Sequence, residues 1–182
     1  MQKKIGVFGS GKSGPGNPIY KTAHELGTLV AKAGFIHVSG GYGGTMEAGA
    51  SGAREAGGET IGVIISGWGA PNPYISQVIR THDLFERIGK LMEISDGYIV
   101  LPGATGTLIE LAMAWERNNK GLDQVKPIVL VGDFWKPVIE VVKSQLMSTI
   151  DTQTKDAKCL FGNFLWMAKT PAEAVAIIRE FL

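Results

Sequence analysis

Cysteine is almost absent from this chain. Cys159 is the single one among 182 residues, so no intramolecular disulfide can form, and a reducing compartment suits it. Histidine is scarce as well. His24, His37 and His82 are scattered, with no His/Cys cluster at metal-ligand spacing, and neither a metal nor a cofactor is expected. A charge excess of either sign is missing. Lys and Arg number 18 against 17 Asp and Glu, a formal net charge of +1. That leaves no electrostatic footprint for nucleic acid or an anionic membrane. No apolar run reaches membrane-spanning length. The opening Met1-Gln2-Lys3-Lys4-Ile5-Gly6 lacks the apolar region of a signal peptide, so a cytoplasmic location is expected. Internal repeats and low-complexity tracts are absent too.

Glycine, by contrast, is plentiful. Its 25 residues cluster in stretches that read as loops where backbone or ligand approaches closely. Hydrophobic residues are 45% and charged residues 19%, ordinary for a globular protein. The length suits one domain, residues 1–182, with a sizeable core.

Short apolar runs alternate with helical periodicity. Strands are expected at 5–8, 35–38, 60–65, 77–81, 98–101, 127–131 and 164–167. Helices are expected from Ile19 to Ala33, then over 45–56, 84–94, 108–115 and 138–147. Gly34 reads as the residue just past the first of these helices. Thr170-Pro171-Ala172-Glu173 starts a last helix with cap, proline and capping-box glutamate. Residues 118–126 read as a polar surface loop. The alternation is that of an α/β protein: a single Rossmann-like domain, its parallel sheet covered by helices on both faces. Three glycine-rich turns follow strands, after Phe8, Val38 and Leu101. They should share the carboxyl edge of the sheet, where such folds bind ligands.

Val100-Leu101-Pro102-Gly103-Ala104-Thr105-Gly106-Thr107-Leu108-Ile109-Glu110 carries the most chemistry. A strand, a glycine-rich turn and a helix start leave free backbone N–H groups that, with the helix dipole, suit a phosphate. Glu110 would place a carboxylate beside it. The plainer reading is a capping box, Thr107-x-x-Glu110. Two other motifs tempt and fail. Gly9-Ser10-Gly11-Lys12-Ser13-Gly14 matches a dinucleotide fingerprint, and residues 6–13 match a P-loop. Pro15, Gly16 and Pro18 block the helix both require, and strand two ends without an acidic residue. Gly9 and Ser10 still lie on the expected edge and remain candidate ligand contacts.

Pro102 to Glu110 resembles P-G-G-x-G-T-x-x-E, the signature of the cytokinin-activating phosphoribohydrolases, the LOG family, long mislabelled as lysine decarboxylases. Glu86-Arg87 followed by Ser95-Asp96 resembles the family's E-R-K…S-D segment. Gly40-Gly41-x-x-Gly44-x-Met46 resembles its G-G-G-x-x-G-L-M, and Gly57-Gly58-x-x-Ile61-Gly62-Val63-Ile64 is also familial. The resemblance covers residues 5–131, and the wider group includes molybdenum-cofactor carrier proteins. Some positions depart. Ala104 replaces the signature's second glycine, Ile88 a usual lysine, and Ser39, Thr45 and Glu47 replace Gly, Leu and Gly. If position 104 needs a positive φ, alanine costs about 1 kcal/mol there. The departures point to a side branch.

The resemblance implies hydrolysis of the N-glycosidic bond of a nucleoside 5′-monophosphate, giving free base and ribose 5-phosphate. The alternative is a non-catalytic carrier for a phosphorylated ligand such as molybdenum cofactor or a nucleotide. It implies Arg87 and Glu110 as catalytic residues. Gly103, Ala104, Thr105, Gly106 and Thr107 would hold phosphate, and Gly9, Ser10, Gly40, Gly41, Gly44 and Met46 would line the nucleotide site. It also implies a homodimer or higher homo-oligomer. Against it, Arg87 reads as a solvated helix face and Met46 as core.

Overall fold

A computed structural model describes residues 2–122, 124–149 and 165–182. Cys159 and Phe164, the expected first residue of the last strand, lie outside the described residues. Among these residues, seven strands form one parallel sheet in the order β4-β3-β2-β1-β5-β6-β7. They are β1 (Lys4–Phe8), β2 (Ile36–Ser39), β3 (Thr60–Ile65), β4 (Gln77–Thr81), β5 (Gly97–Val100), β6 (Ile128–Val131) and β7 (Leu165–Ala168). Strands β2, β3, β5 and β6 are buried at every residue, whereas β4 and β7 at the edges are partly exposed. Central strands β5 and β6, covered on both faces, thus read as apolar runs, and edge strand β4 carries Gln77 and Arg80.

Among the described residues, six helices cover the sheet: α1 (Pro18–Lys32), α2 (Thr45–Glu55), α3 (Leu84–Ile94), α4 (Thr105–Asn119), α5 (Lys136–Thr149) and α6 (Pro171–Phe181). On one face, Ile88, Leu91 and Met92 of α3 join Leu111 and Trp115 of α4 and Ile139 of α5 in a core with Phe8, Val38 and Val100. On the other, Ala23, Leu26 and Val30 of α1, Ala48 of α2, and Ala174, Val175 and Ile178 of α6 pack on Ile5, Val7 and Val129. The expected helices on both faces are present.

Local chemistry explains most helix boundaries. Asn17 caps α1, its side chain accepting from the Ile19 N–H at 2.9 Å, with Pro18 in the first turn. Asp83 caps α3 by accepting from Glu86 N–H at 2.8 Å, and Glu86 accepts from His82 N–H at 2.7 Å. The same reciprocal arrangement starts α6, where Thr170 accepts from Glu173 N–H at 3.2 Å and Glu173 from Lys169 N–H at 2.7 Å.

Helix α4 starts differently from expectation. It begins at Thr105, three residues before the expected Leu108, and its cap is Ala104, whose side chain offers no hydrogen bond. Thr107 is therefore inside the helix, and no Thr107–Glu110 capping box forms. Ala104 has φ −102°, outside the left-handed region, so alanine carries no backbone penalty there. Helix α4 also runs on to Asn119. The Asn118 side chain donates to the Lys126 carbonyl at 2.8 Å and accepts from its N–H at 3.2 Å, closing the expected loop.

Candidate functional site

The chain passes outward from β1 through β2 and β3 to β4, then returns to place β5 on the other side of β1. A crevice opens at the carboxyl ends of strands at such a reversal. Here it is a cleft of ≈ 560 Å³, within the usual range for small-molecule sites. Gly9, Ser10, Gly40, Met46, Arg87, Ala104, Thr105, Gly106, Thr107 and Glu110 all line it. The three glycine-rich turns thus share one edge, as expected.

Gly41, Gly44 and Gly103 stand behind the lining. Gly41 packs on Ile64 and Gly62, and Gly103 lies against the Thr107 side chain. Gly44 caps α2 with φ 70°, pressed against the Ser10 carbonyl where any side chain would collide. The Thr45 N–H donates to that same carbonyl at 2.9 Å. These contacts bind the turn after β1 to the turn after β2.

The start of α4 forms one wall. With no side-chain cap, the N–H groups of Thr105, Gly106 and Thr107 have no partner within the helix, and the first helical bond is Leu108 N–H to the Ala104 carbonyl at 2.9 Å. Such a terminus carries partial positive charge. Glu110 follows on the same helix and is 8% exposed. Its carboxylate lies 3.9 Å from an Arg87 Nη1, too long for a hydrogen bond. Burial pushes the Glu110 carboxyl up to about 7, and the Arg87 charge opposes that rise.

Arg87 is not a solvated face. It is 8% exposed, and its Nε donates to the Val63 carbonyl at 2.8 Å. Its guanidinium lies 5.5 Å from the centroid of the Tyr42 ring, a cation–π geometry. One Nη reaches the Met46 sulfur at 3.9 Å. The same nitrogen lies against Gly40, where an added Cβ would collide with Nη2 and crowd the Met46 sulfur. Tyr42 is itself fixed, its hydroxyl accepting from Ile65 N–H at 2.8 Å and donating to the Ile65 carbonyl at 3.3 Å. Met46 is therefore both a cleft residue and a packing partner of Arg87.

Lys12, Tyr42 and Trp68 also line the cleft and were not among the expected residues. Tyr42 sat within a glycine-rich turn that pointed to the site, but nothing in its spacing tied it to Arg87. Among the described residues, no group of three or more His, Cys, Asp or Glu side chains is placed to hold a metal ion. Nor is any helix among them long and apolar enough to cross a membrane.

The model of the SLOG cluster4 family matches residues 2–159. A cytokinin riboside 5′-monophosphate phosphoribohydrolase of Mycobacterium tuberculosis is 37% identical over 127 residues, which cover 64% of this chain and 64% of that protein. The match thus spans just under two thirds of the mycobacterial enzyme. The molybdenum cofactor binding protein of the phototrophic bacterium Rippkaea orientalis has a similar structure, with TM-score 0.76 and 26% identity, over 100% of this chain and 98% of that one. The molybdenum cofactor carrier protein of Chlamydomonas reinhardtii is alike to the same degree, TM-score 0.76 and 26% identity, over 99% and 98%.

Proposed function

The chain belongs to the SLOG cluster4 family, and from that premise we propose that it is a phosphoribohydrolase, which cleaves a nucleoside 5′-monophosphate to free base and ribose 5-phosphate. One observation carries this reading: a buried Glu110, its carboxylate near Arg87 but without a hydrogen bond among the described residues, shares its cleft with the uncapped start of its own helix. The phosphate would sit on the Thr105, Gly106 and Thr107 N–H groups. From Thr105 to Glu110 the helix rises about 7.5 Å, close enough for one nucleotide to meet both.

The bond from that carbon to the base nitrogen breaks with its electron pair going to the base. Positive charge develops on the ribose, and water adds there with loss of a proton. The Glu110 carboxylate would stabilise that charge or orient the water. Arg87, anchored through Nε and by Tyr42, would keep its remaining donors for the phosphate or the leaving base. Gly9, Ser10, Gly40 and Met46 would flank the nucleoside. The proposal extends to a single domain acting as a homo-oligomer in the cytoplasm.

A second reading follows from likeness along the whole chain to the two molybdenum cofactor proteins. There the cleft would hold a phosphorylated ligand without turnover. Incubation with AMP, N6-substituted AMP, GMP and IMP distinguishes the two. The enzyme reading expects free base from at least one. No base from any of them would leave the carrier.

A further inference from the structure

The loop between β3 and β4 carries a tryptophan that core packing does not explain. Trp68 is 66% exposed, yet it lines the cleft. Its backbone N–H donates to the Ile65 carbonyl at 3.2 Å, which turns the chain just beyond the strand. Gly67 at φ 87° and Gly69 at φ 147° flank it, and a Cβ on either would meet nothing. Both glycines therefore serve backbone shape, and the shape presents the indole at the cleft.

Its position across the sheet is informative. Strands β2 and β1 lie between β3, which leads into Trp68, and β5, which leads into α4. Three strand spacings separate the two loops, about 14 Å. The α4 wall offers backbone N–H groups, while the β3 wall offers a flat aromatic face. The matching ligand has an anion at one end and a planar ring at the other. An exposed indole leaves a large apolar area in water, which a stacked ring would cover, whereas the ribose of a sugar phosphate held at the α4 start would be too short to span about 14 Å to it.

We propose that Trp68 is a stacking platform that selects phosphate esters bearing a planar heteroaromatic ring over plain sugar phosphates. The proposal rests on the α4 start being the phosphate end, and its test separates the two ideas.

Wild-type protein and the Trp68→Ala and Trp68→Phe variants are titrated calorimetrically with AMP and with ribose 5-phosphate. Wild type should prefer AMP. Trp68→Ala should weaken AMP about five- to hundredfold and leave ribose 5-phosphate within twofold, while Trp68→Phe keeps most of the AMP affinity. Tryptophan fluorescence gives a second readout. Trp115 and Trp135 are buried and Trp166 packs on Phe181, so AMP should quench mainly Trp68, and the quench should vanish in Trp68→Phe. Wild type binding AMP no tighter than ribose 5-phosphate, or equal loss of both ligands in Trp68→Ala, overturns the platform. Failure of the phosphate end shows elsewhere: ribose 5-phosphate affinity would then be indifferent to Thr105→Pro, whatever Trp68 does.

Discussion

Arg87 and Glu110 face each other at 3.9 Å in the cleft, both nearly buried, without joining in a hydrogen bond. A tight bidentate pair would satisfy both charges and leave little for a ligand. At this separation each charge steadies the other while its polar atoms stay available.

Glu110→Gln tests the carboxylate. Glutamine keeps the size and loses the charge. Base release should fall more than a hundredfold, about 3 kcal/mol of barrier, with AMP affinity within a few-fold because the ground-state ribose is neutral. Equal turnover by the variant would remove Glu110 from the chemistry.

The same residue predicts a pH dependence of stability. Glu110 is raised from 4.5 to about 7 by burial. Between those values the folded chain keeps a proton that the unfolded chain has lost, so stability falls as pH rises through that window. His37 does the reverse. Fully buried on β2, with no hydrogen-bond partner for either ring nitrogen among the described residues, its imidazole is held down to about 4 by burial. From 6.5 to 4 the unfolded chain gains a proton that the folded one refuses, so stability falls as pH drops. The two windows overlap and their slopes oppose, so wild type should be nearly flat between them, and urea unfolding across pH 4 to 8 should show Glu110→Gln unmasking a rise of stability with pH and His37→Leu unmasking a fall. Each slope is worth up to about 3 kcal/mol. Profiles parallel to wild type would contradict both assignments.

Gly40→Ala should mimic Arg87→Ala. The added methyl would take the place of Arg87 Nη2, so the guanidinium must leave its seat on Tyr42. A tenfold or greater loss of base release is expected in both variants, with circular dichroism unchanged. Full activity in Gly40→Ala would show that the guanidinium position does not matter.

Tyr42→Phe removes the hydroxyl that pairs with both the Ile65 N–H and its carbonyl. Loss of these bonds should lower stability by about 1 to 3 kcal/mol, while the ring beneath Arg87 remains. Denaturant midpoints measure the first effect and turnover the second. An unaltered midpoint would mean that water replaces the hydroxyl freely.

Thr105→Pro tests the helix start. Proline is at home in a first helical turn, as Pro18 and Pro171 show in α1 and α6, and Ala104 before it is already extended. The variant should fold with wild-type stability but lack one N–H donor. Affinity for AMP and ribose 5-phosphate should drop severalfold, read by calorimetry. Unchanged affinity for both would move the phosphate elsewhere.

Much of this was legible in the sequence. Apolar runs such as Ile99-Val100-Leu101 and helical spacing at Ala23, Leu26 and Val30 locate the elements, because buried strands and amphipathic helices differ in period. The three turns could be assigned to one edge from strand alternation alone. The first turn of α4 was hidden because Thr105, Gly106 and Thr107 are poor helix formers, and of the three only Thr107 is buried. Thr107-x-x-Glu110 had capping-box spacing but the wrong helix phase. The seat of Arg87 was illegible for another reason. Gly40 and Tyr42 come from a turn, Met46 from helix α2 and Val63 from strand β3, and only the folded sheet brings them all against Arg87.

The Ser10 carbonyl, taken up by Thr45 and crowded by Gly44, has a practical consequence for redesign. The β1 and β2 turns behave as a single interlocking part. A graft that imports one turn from a relative without its counterpart would tear a backbone joint, so pocket engineering on this scaffold should exchange the two as a cassette. The Trp68 loop has no such joint, so Trp68 can be varied by itself while Gly67 and Gly69 keep the positive φ that shapes the turn.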